Sequence, residues 1–441
     1  MIIFSSLLIP PFKRLHFLYL NKELKIAIIY NLNNSKQYMM PYDKAVEMNS
    51  ETIQKINALK CDPEEPKFKK LEHLRFVVTN RCNLKCIYCY ADGGSYHQDL
   101  QDMSFDTIKK TIEFFYARYE WIHQISFFGG EPLIKTDLIE KSCNYINSFC
   151  TQNSRKFPIY SMVTNATLMN ESAIKLINKY NILVNISLDG PKEFNDRQRV
   201  FVNSKGSVFD IVDQNVKELR KLNNFSIEST CSNIIFEYGY TFEDIKNYFM
   251  KRYNISRVNV SGAMIVDNVD NKLGILDKDS VGDSMTAEVE KFFSNNDFIF
   301  NDVIIRLLNT FYSKYYCSTF CDAGITQFTV SMNGDVYPCQ LFIGKEDYKL
   351  GNVTSLDEKL LKEFKQHQLK NFDKCKKCGY LRFCQTCLRR RNEIKCSESY
   401  CADLKKAIRI FLKKMFDLKF AYPLKYNELL KGYKQFYEKN R

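Results

Sequence analysis

From residue 71 onward the chain alternates short apolar, β-branched runs with stretches whose apolar positions recur at helical spacing. The runs are LRFVVTN (74–80), QISFFGG (124–130), IYSMVTN (159–165), ILVNISLDG (182–190), FSIESTC (225–231) and SRVNVSG (256–262). Between them, amphipathic patterns predict helices near 104–120, 135–152, 171–180, 209–223 and 241–252. Such alternation is the signature of β-α units around a parallel sheet. Six units predict an α/β fold, a partial (β/α)6 TIM-like barrel rather than a closed eightfold one.

The flanks read differently. Residues 1–70 hold the strand-like FLYL and KIAIIYN, a helical SETIQKINALK and the proline-containing linker CDPEEPKFKK. About 70 residues fold alone only marginally, so this small α+β unit is expected to pack on the barrel. The barrel spans 71–265, a helical connector 266–310, a cysteine-rich module 311–405 and a basic helical tail 406–441.

With 45% hydrophobic and 26% charged residues among 441, the chain can bury the cores of two or three domains. No apolar run approaches the roughly 20 residues of a membrane-spanning helix. The opening MIIFSSLLIPPFKRL breaks at Pro10-Pro11 without a small-residue cleavage site. The expected location is therefore the cytoplasm, with no membrane partner. In that reducing setting, sixteen cysteines are expected as metal ligands or thiols rather than disulfides. Cys61, Cys143, Cys150 and Cys231 are scattered singly and read as small buried hydrophobes. The net charge of +13 suits an acidic partner and equally a solvated lysine-rich face, much of it in the stretch KKAIRIFLKKMFDLKF.

In parallel β/α architectures the chemistry gathers where the strands end. The first predicted strand runs into RCNLKCIYCY, three cysteines spaced C-x3-C-x2-C and one thiol short of a tetrahedral site. The second ends in Gly129-Gly130-Glu131-Pro132, the third in Thr164-Asn165, and the fourth in Ser187-Leu188-Asp189-Gly190. Three thiolates could hold zinc with a distant fourth ligand. They could also hold an iron–sulfur cubane whose fourth iron stays open to a substrate or cofactor.

CNLKCIYC resembles the CxxxCxxC motif of the radical S-adenosylmethionine enzymes, with Tyr88 as the aromatic residue before the third cysteine. The resemblance implies that Cys82, Cys86 and Cys89 hold a [4Fe–4S] cluster whose open iron chelates the amino and carboxylate groups of S-adenosyl-L-methionine. It also implies cofactor contacts from Tyr88, from Gly129, Gly130 and Glu131 near the methionine amino group, and from Asn165 and Ser187 near the ribose and carboxylate. Arg199, with Asp196 and Gly206-Ser207, fits the family's D..R…GS run. A deoxyadenosyl radical attacks almost any C–H bond, so such a site must exclude water and hold one substrate hydrogen close. The cofactor brings the hard chemistry, and the barrel supplies aim and enclosure.

Nine further cysteines lie between Cys317 and Cys401, and their spacing is similar to the SPASM extension found behind the barrel in a subset of these enzymes. By that resemblance Cys317, Cys321, Cys339 and Cys387 ligate one auxiliary [4Fe–4S] cluster. Cys375, Cys378 and Cys384 ligate a second with Cys401, for which Cys396 is the rival. That makes three clusters in all. One departure is visible: two residues, Gln385 and Thr386, separate Cys384 from Cys387 where the family usually has three. Without the family, CKKCGYLRFCQTC also passes as a zinc ribbon of a nucleic-acid-binding protein. A ribbon leaves Cys317, Cys321 and Cys339 unexplained.

SPASM enzymes mostly modify peptides or proteins. One reading is a maturase that installs cysteine-derived thioether or carbon–carbon cross-links in a ribosomally made precursor peptide. The other is a sulfatase maturase forming formylglycine. Sulfatase-maturing enzymes typically carry an aspartate base after the cysteine of G-x-V-Y-P-C, whereas GDVYPCQ places Gln340 there, and an amide cannot accept a proton usefully near neutral pH. Asp335 is the alternative base. The expected partners are a precursor peptide with its leader, bound by adding a strand to residues 1–70, and a low-potential donor such as flavodoxin or ferredoxin, with no nucleic acid.

Overall fold

The computed structural model describes residues 16–31, 37–46, 70–203, 206–219, 225–255, 257–263, 285–294, 298, 300–312, 321–370, 378, 380, 383–384 and 398–439. At the N-terminal end, β1 (His16–Asn21), β2 (Ile26–Asn31) and β3 (Gln37–Pro41) form an antiparallel sheet in that order, closed by the short α1 (Tyr42–Val46). The third strand was not expected from sequence. The expected helix SETIQKINALK lies outside the described residues, as does the linker after it up to residue 69; its last residue, Lys70, opens the next strand.

The barrel follows in chain order as β4 (Lys70–Thr79), α2 (Phe105–Arg118), β5 (Trp121–Gly129), α3 (Thr136–Gln152), β6 (Ile159–Thr164), α4 (Glu171–Tyr180), β7 (Leu183–Ser187), α5 (Lys192–Gln198), α6 (Val208–Leu219), β8 (Phe225–Cys231), α7 (Phe242–Tyr253) and β9 (Val258–Gly262). The six strands pair parallel, each with the next. Leu71, Leu74, Phe76, Val77 and Val78 of β4 are fully buried, the continuous apolar run of a strand covered on both sides. Helix ends are set by local chemistry. Ser104 and Asn170 accept the backbone N–H of Thr107 and Ala173, Thr241 and Asp244 form a capping box, and Asn181 and Asn254 close α4 and α7 in the left-handed region. Each N-terminal cap is worth about 1 kcal/mol.

Two more layers complete the chain. Helices α8 (Met285–Ser294) and α9 (Asp302–Tyr312) lead to β10 (Gln327–Val330), β11 (Asp335–Tyr337), β12 (Gly351–Asn352) and β13 (Ser355–Leu356), then α10 (Glu358–Lys370), α11 (Glu398–Ala421) and α12 (Pro423–Lys439). Strand β10 pairs parallel to β4, and β11 to β13 continue antiparallel, so the cysteine-rich region extends the barrel sheet to ten strands. It thereby covers the edge of β4 that six strands alone would leave open.

The N-terminal sheet does not pack where the sequence suggested. Tyr19, Ile28 and Tyr30 join a core made with Val289, Phe311, Phe411, Phe416 and their neighbours on α8, α9 and α11, separate from the barrel core. Tyr30 stacks on Phe311 at 5.5 Å, and the Tyr19 hydroxyl donates to Asp417 at 2.8 Å. Leu404, Ala407, Ile408, Phe411, Leu412, Met415 and Phe416 form the buried stripe of α11, with its lysines on the other face. This helix runs unbroken through the 405/406 division expected between module and tail. Among the described residues no helix is long and apolar enough to cross a membrane.

Candidate active site

The cysteine loop leaves β4 and returns to α2 under tight constraint. Buried Asn80 accepts from Gln101 N at 2.7 Å and donates to Asp99 O at 2.8 Å, tying the two ends of the excursion together. Below it, Thr79 Oγ1 donates to Asp102 at 2.6 Å, and Lys135 pairs with the same carboxylate. The loop then lies directly on the end of β5. A Cβ on Gly129 would stand 2.3 Å from Thr79 O, and one on Gly130 would stand 2.3 Å from Arg81 O and 3.0 Å from Cys82 Cβ. Only glycine allows that approach.

Glu131 is fully buried and its carboxylate is completely engaged. Oε1 accepts from Leu133 N at 3.0 Å and Thr164 Oγ1 at 2.6 Å, and Oε2 from Asn165 N at 2.7 Å. Burial pushes its pKa up, while these donors and the Arg199 charge pull it back. The residue thus staples the end of β6 to the turn after β5. Asn165, held in this way, donates to Asn83 at 2.9 Å and reaches 3.9 Å from Cys82 Sγ, and its own oxygen accepts from Thr167.

A second buried group lies behind the loop. Tyr88 donates to Asp189 at 2.6 Å and accepts from Arg199 at 2.6 Å, and Arg199 pairs with Asp189 at 3.4 Å. Gln198 and Thr230 N complete the shell of Asp189. Burial raises Cys82 to about 11 and Cys86 to about 12, and the Arg199 guanidinium opposes both shifts. Asp196 instead accepts from Ser207 Oγ and Phe209 N, so it caps α6. Ser187 ends β7 opposite Glu228 and makes no side-chain hydrogen bond among the described residues. Asp189 was noted from sequence only as part of the strand end Ser187-Leu188-Asp189-Gly190, and Gln198 and Asn83 were not singled out.

Among the described residues no three His, Cys, Asp or Glu side chains form a group that could hold a metal ion. The donor set nonetheless suits an iron–sulfur cluster, which is wider than a single ion and spreads its thiolates. Three half-buried thiols sit on one loop, with Cys89 close enough to Cys82 and Cys86 to raise both. Arg199 places a cation beside them, and its Nε is buried with no hydrogen-bond partner among the described residues. A thiolate cluster would bring further negative charge beside this cation, in addition to that of Asp189. A cavity of 360 Å³ beside the loop is lined by Arg81, Cys82, Leu84, Lys85 and Val202.

The later cysteines divide between the two cores. Cys339 is buried in the barrel core and Cys321 packs against it. Cys384 is buried in the helical core, and Cys378 and Cys401 are half-buried. Cys317, Cys375, Cys387 and Cys396 lie outside the described residues, so neither expected ligand set is seen whole.

Comparisons with known proteins agree with this architecture. Residues 76–251 match the Radical SAM superfamily, and residues 321–388 match SPASM, an iron-sulfur cluster-binding domain. The chain is 26% identical over 347 residues to the cysteine-type anaerobic sulfatase-maturating enzyme of Clostridium novyi, covering 74% of this chain and 89% of that one. It is 27% identical over 330 residues to the antilisterial bacteriocin subtilosin biosynthesis protein AlbA of Bacillus subtilis, covering 71% of this chain and 66% of AlbA. Among solved structures, native anSMEcpe with bound AdoMet superposes with a TM-score of 0.60 at 22% identity over 80% of this chain and 98% of the other, a likeness of fold. The chain thus carries a Radical SAM superfamily domain, and a SPASM iron–sulfur cluster-binding domain joined to the same sheet.

Proposed function

We propose that this enzyme is a peptide maturase, which removes a hydrogen from a ribosomally made precursor peptide and installs cysteine-derived thioether or carbon–carbon cross-links. The observation that carries the reading is Gln340. Its side-chain oxygen accepts a hydrogen bond from half-buried Arg75, so the position holds a neutral, fixed amide instead of a base. Formylglycine formation then lacks its expected carboxylate there.

In this reading Cys82, Cys86 and Cys89 would hold the S-adenosylmethionine-binding [4Fe–4S] cluster. Cys317, Cys321, Cys339 and Cys387 would hold one auxiliary cluster, and Cys375, Cys378, Cys384 and Cys401 a second. When bound, cluster and S-adenosylmethionine supply the one-electron cleavage that yields the hydrogen-abstracting radical. The chain's own residues do the rest. Gly129 and Gly130 let the loop lie against β5, and Glu131 holds Asn165 beside Cys82. Tyr88, Asp189 and Arg199 fix the loop from behind and keep a cation next to its thiols. Around the cavity beside Cys82, Arg81 and Lys85 outnumber Asp92 and offer a net basic rim for an acidic electron donor. At the N-terminal end, β1 and β3 are the edges of a three-stranded sheet, to which a leader could add a strand.

The rival reading, oxidation of a sulfatase cysteine to formylglycine, is favoured by what the Clostridium novyi relative is named for. The test is the mass of a short cysteine-containing peptide encoded beside the gene, after anaerobic co-expression. Loss of two hydrogens per link, with thiols that no longer alkylate, supports the maturase, provided Cys82→Ala abolishes it. An unchanged peptide, beside a sulfatase fragment whose cysteine becomes an aldehyde, decides for the rival.

A further inference from the structure

One row of side chains crosses the face of the sheet that carries Arg75. Tyr337, Thr329, Arg75, Ser126 and Ser161 are direct register partners on β11, β10, β4, β5 and β6, so all five share that face. Ser126 and Ser161 satisfy each other and His73. The centre of the row is not satisfied. Arg75 Nε and Thr329 Oγ1 are buried on adjacent strands and have no hydrogen-bond partner among the described residues.

The charge of Arg75 is equally incomplete. Its guanidinium lies over the Phe128 ring at 5.5 Å, and its one hydrogen-bond partner among the described residues is the neutral amide of Gln340. The nearby groups that could carry negative charge are the thiol of Cys339 and the phenols of Tyr90 and Tyr96. A half-buried cation whose hydrogen-bond partner among the described residues is a neutral amide gains from an anion at its open edge, which a ligand carboxylate would supply. A carboxylate at residue 340 would have neutralised it from within; the amide leaves the positive charge available. The free edge of a guanidinium, with a hydroxyl beside it, is shaped for the two oxygens of a carboxylate.

We propose that Arg75, with Thr329 and Gln340 beside it, is a substrate-positioning site that receives a carboxylate of the peptide next to the cysteine to be modified. This rests on the peptide-maturase reading. The carboxylate could be an acidic side chain or a chain end, and the two share one chemistry.

The test titrates the cluster-reconstituted enzyme calorimetrically with acetyl-Gly-Cys-Asp-amide, acetyl-Gly-Cys-Asn-amide and acetyl-Gly-Cys-Gly with a free carboxyl end. Wild type is expected to bind one of the two acidic probes about tenfold more tightly than the amide, and which one names the source. Arg75→Met removes the preference and Arg75→Lys keeps part of it. Gln340→Glu, nearly isosteric, removes it by pairing Arg75 internally, and it decides the matter if Arg75→Met does not fold. Equal affinities in wild type overturn the proposal. So does a preference that survives both Arg75→Met and Gln340→Glu with full iron content. A change in the reduction potential of a cluster at Cys339, with the preference intact, would make Arg75 a counter-ion to that cluster and also overturn it. A carboxylate preference without any cross-linked product leaves the site standing and removes only the maturase reading.

Discussion

Replacing Glu131 by glutamine tests whether this residue acts as a staple. The carboxylate accepts three hydrogen bonds, two at Oε1 from Leu133 N and Thr164 Oγ1, and one at Oε2 from Asn165 N. An amide keeps one acceptor. The better orientation retains Leu133 and Thr164 and turns an NH2 group against the Asn165 N–H, donor against donor. An unpaired buried N–H costs about 1–3 kcal/mol, and the two surviving bonds each lose about 1 kcal/mol of charge assistance. Burial of the carboxylate, the larger influence on its pKa, offsets part of this loss. A net cost of about 2–4 kcal/mol follows.

For a barrel of this size that corresponds to a fall of about 5–15 °C in melting temperature, read by circular dichroism on the reconstituted protein alongside iron content. Both should fall together, because Asn165 loses its anchor beside Cys82. S-adenosylmethionine affinity, measured separately, should fall no more steeply than iron content. A variant with wild-type melting and iron content but no S-adenosylmethionine binding would refute the staple and make Glu131 a direct cofactor contact.

Gly130→Ala puts a methyl 2.3 Å from Arg81 O, so the cysteine loop must move, and iron bound per chain after reconstitution should drop well below wild type while the far-ultraviolet spectrum is kept. Burial pushes His73 down to about 3 from the ordinary 6.5, so below pH 6.5 the unfolded chain takes a proton that the folded chain refuses. Stability from this group is fully present above pH 6.5 and is lost as pH falls toward 3, by at most about 2 kcal/mol at pH 5; relative to His73→Gln, wild-type urea midpoints should lose ground between pH 7 and 5, and parallel curves would refute this. Tyr30→Ala empties a site among Phe311, Phe383 and Phe416 at a cost of about 3–5 kcal/mol, so limited proteolysis should release the N-terminal sheet while the barrel stays intact.

Local chemistry decides which features could be read from sequence. Helix α4 was expected at 171–180 and lies there, because Asn170 and Asn181 mark both ends. Strand β8 was expected at 225–231 and lies there, because its burial alternates at every residue. By contrast, β4 begins at Lys70, four residues before the expected start, since its first residues gain strand partners only from distant Trp121, Ile122, Gln124 and Gln327. The strand β10 was invisible for the same reason: Gln327–Val330 is short, and the edge it covers lies more than 250 positions earlier. The three-cysteine loop and GGEP were legible as a site because their spacing is local. The Tyr88–Asp189–Arg199 group was legible only in pieces, since it joins residues from three separate elements.

The continuity of the sheet bears on how the two iron–sulfur regions are held in relation to each other. Strand β4 carries the cysteine loop at its carboxyl end, and on its edge it carries β10, whose hairpin with β11 leads within three residues to Cys339 and Gln340. Arg75 sits midway along the same strand and bonds across to Gln340. A slip of β4 by one residue would turn Arg75 and His73 to the other side of the sheet and carry the thiol loop with it. The buried residues on both faces resist such a slip, so the three-cysteine loop, the face that carries Arg75 and the SPASM hairpin keep fixed relative positions through backbone hydrogen bonds rather than through a flexible linker. A barrel with a loosely tethered iron–sulfur module would need a hinge to bring these parts together; here the spacing between Cys82 and Cys339 is built into one sheet.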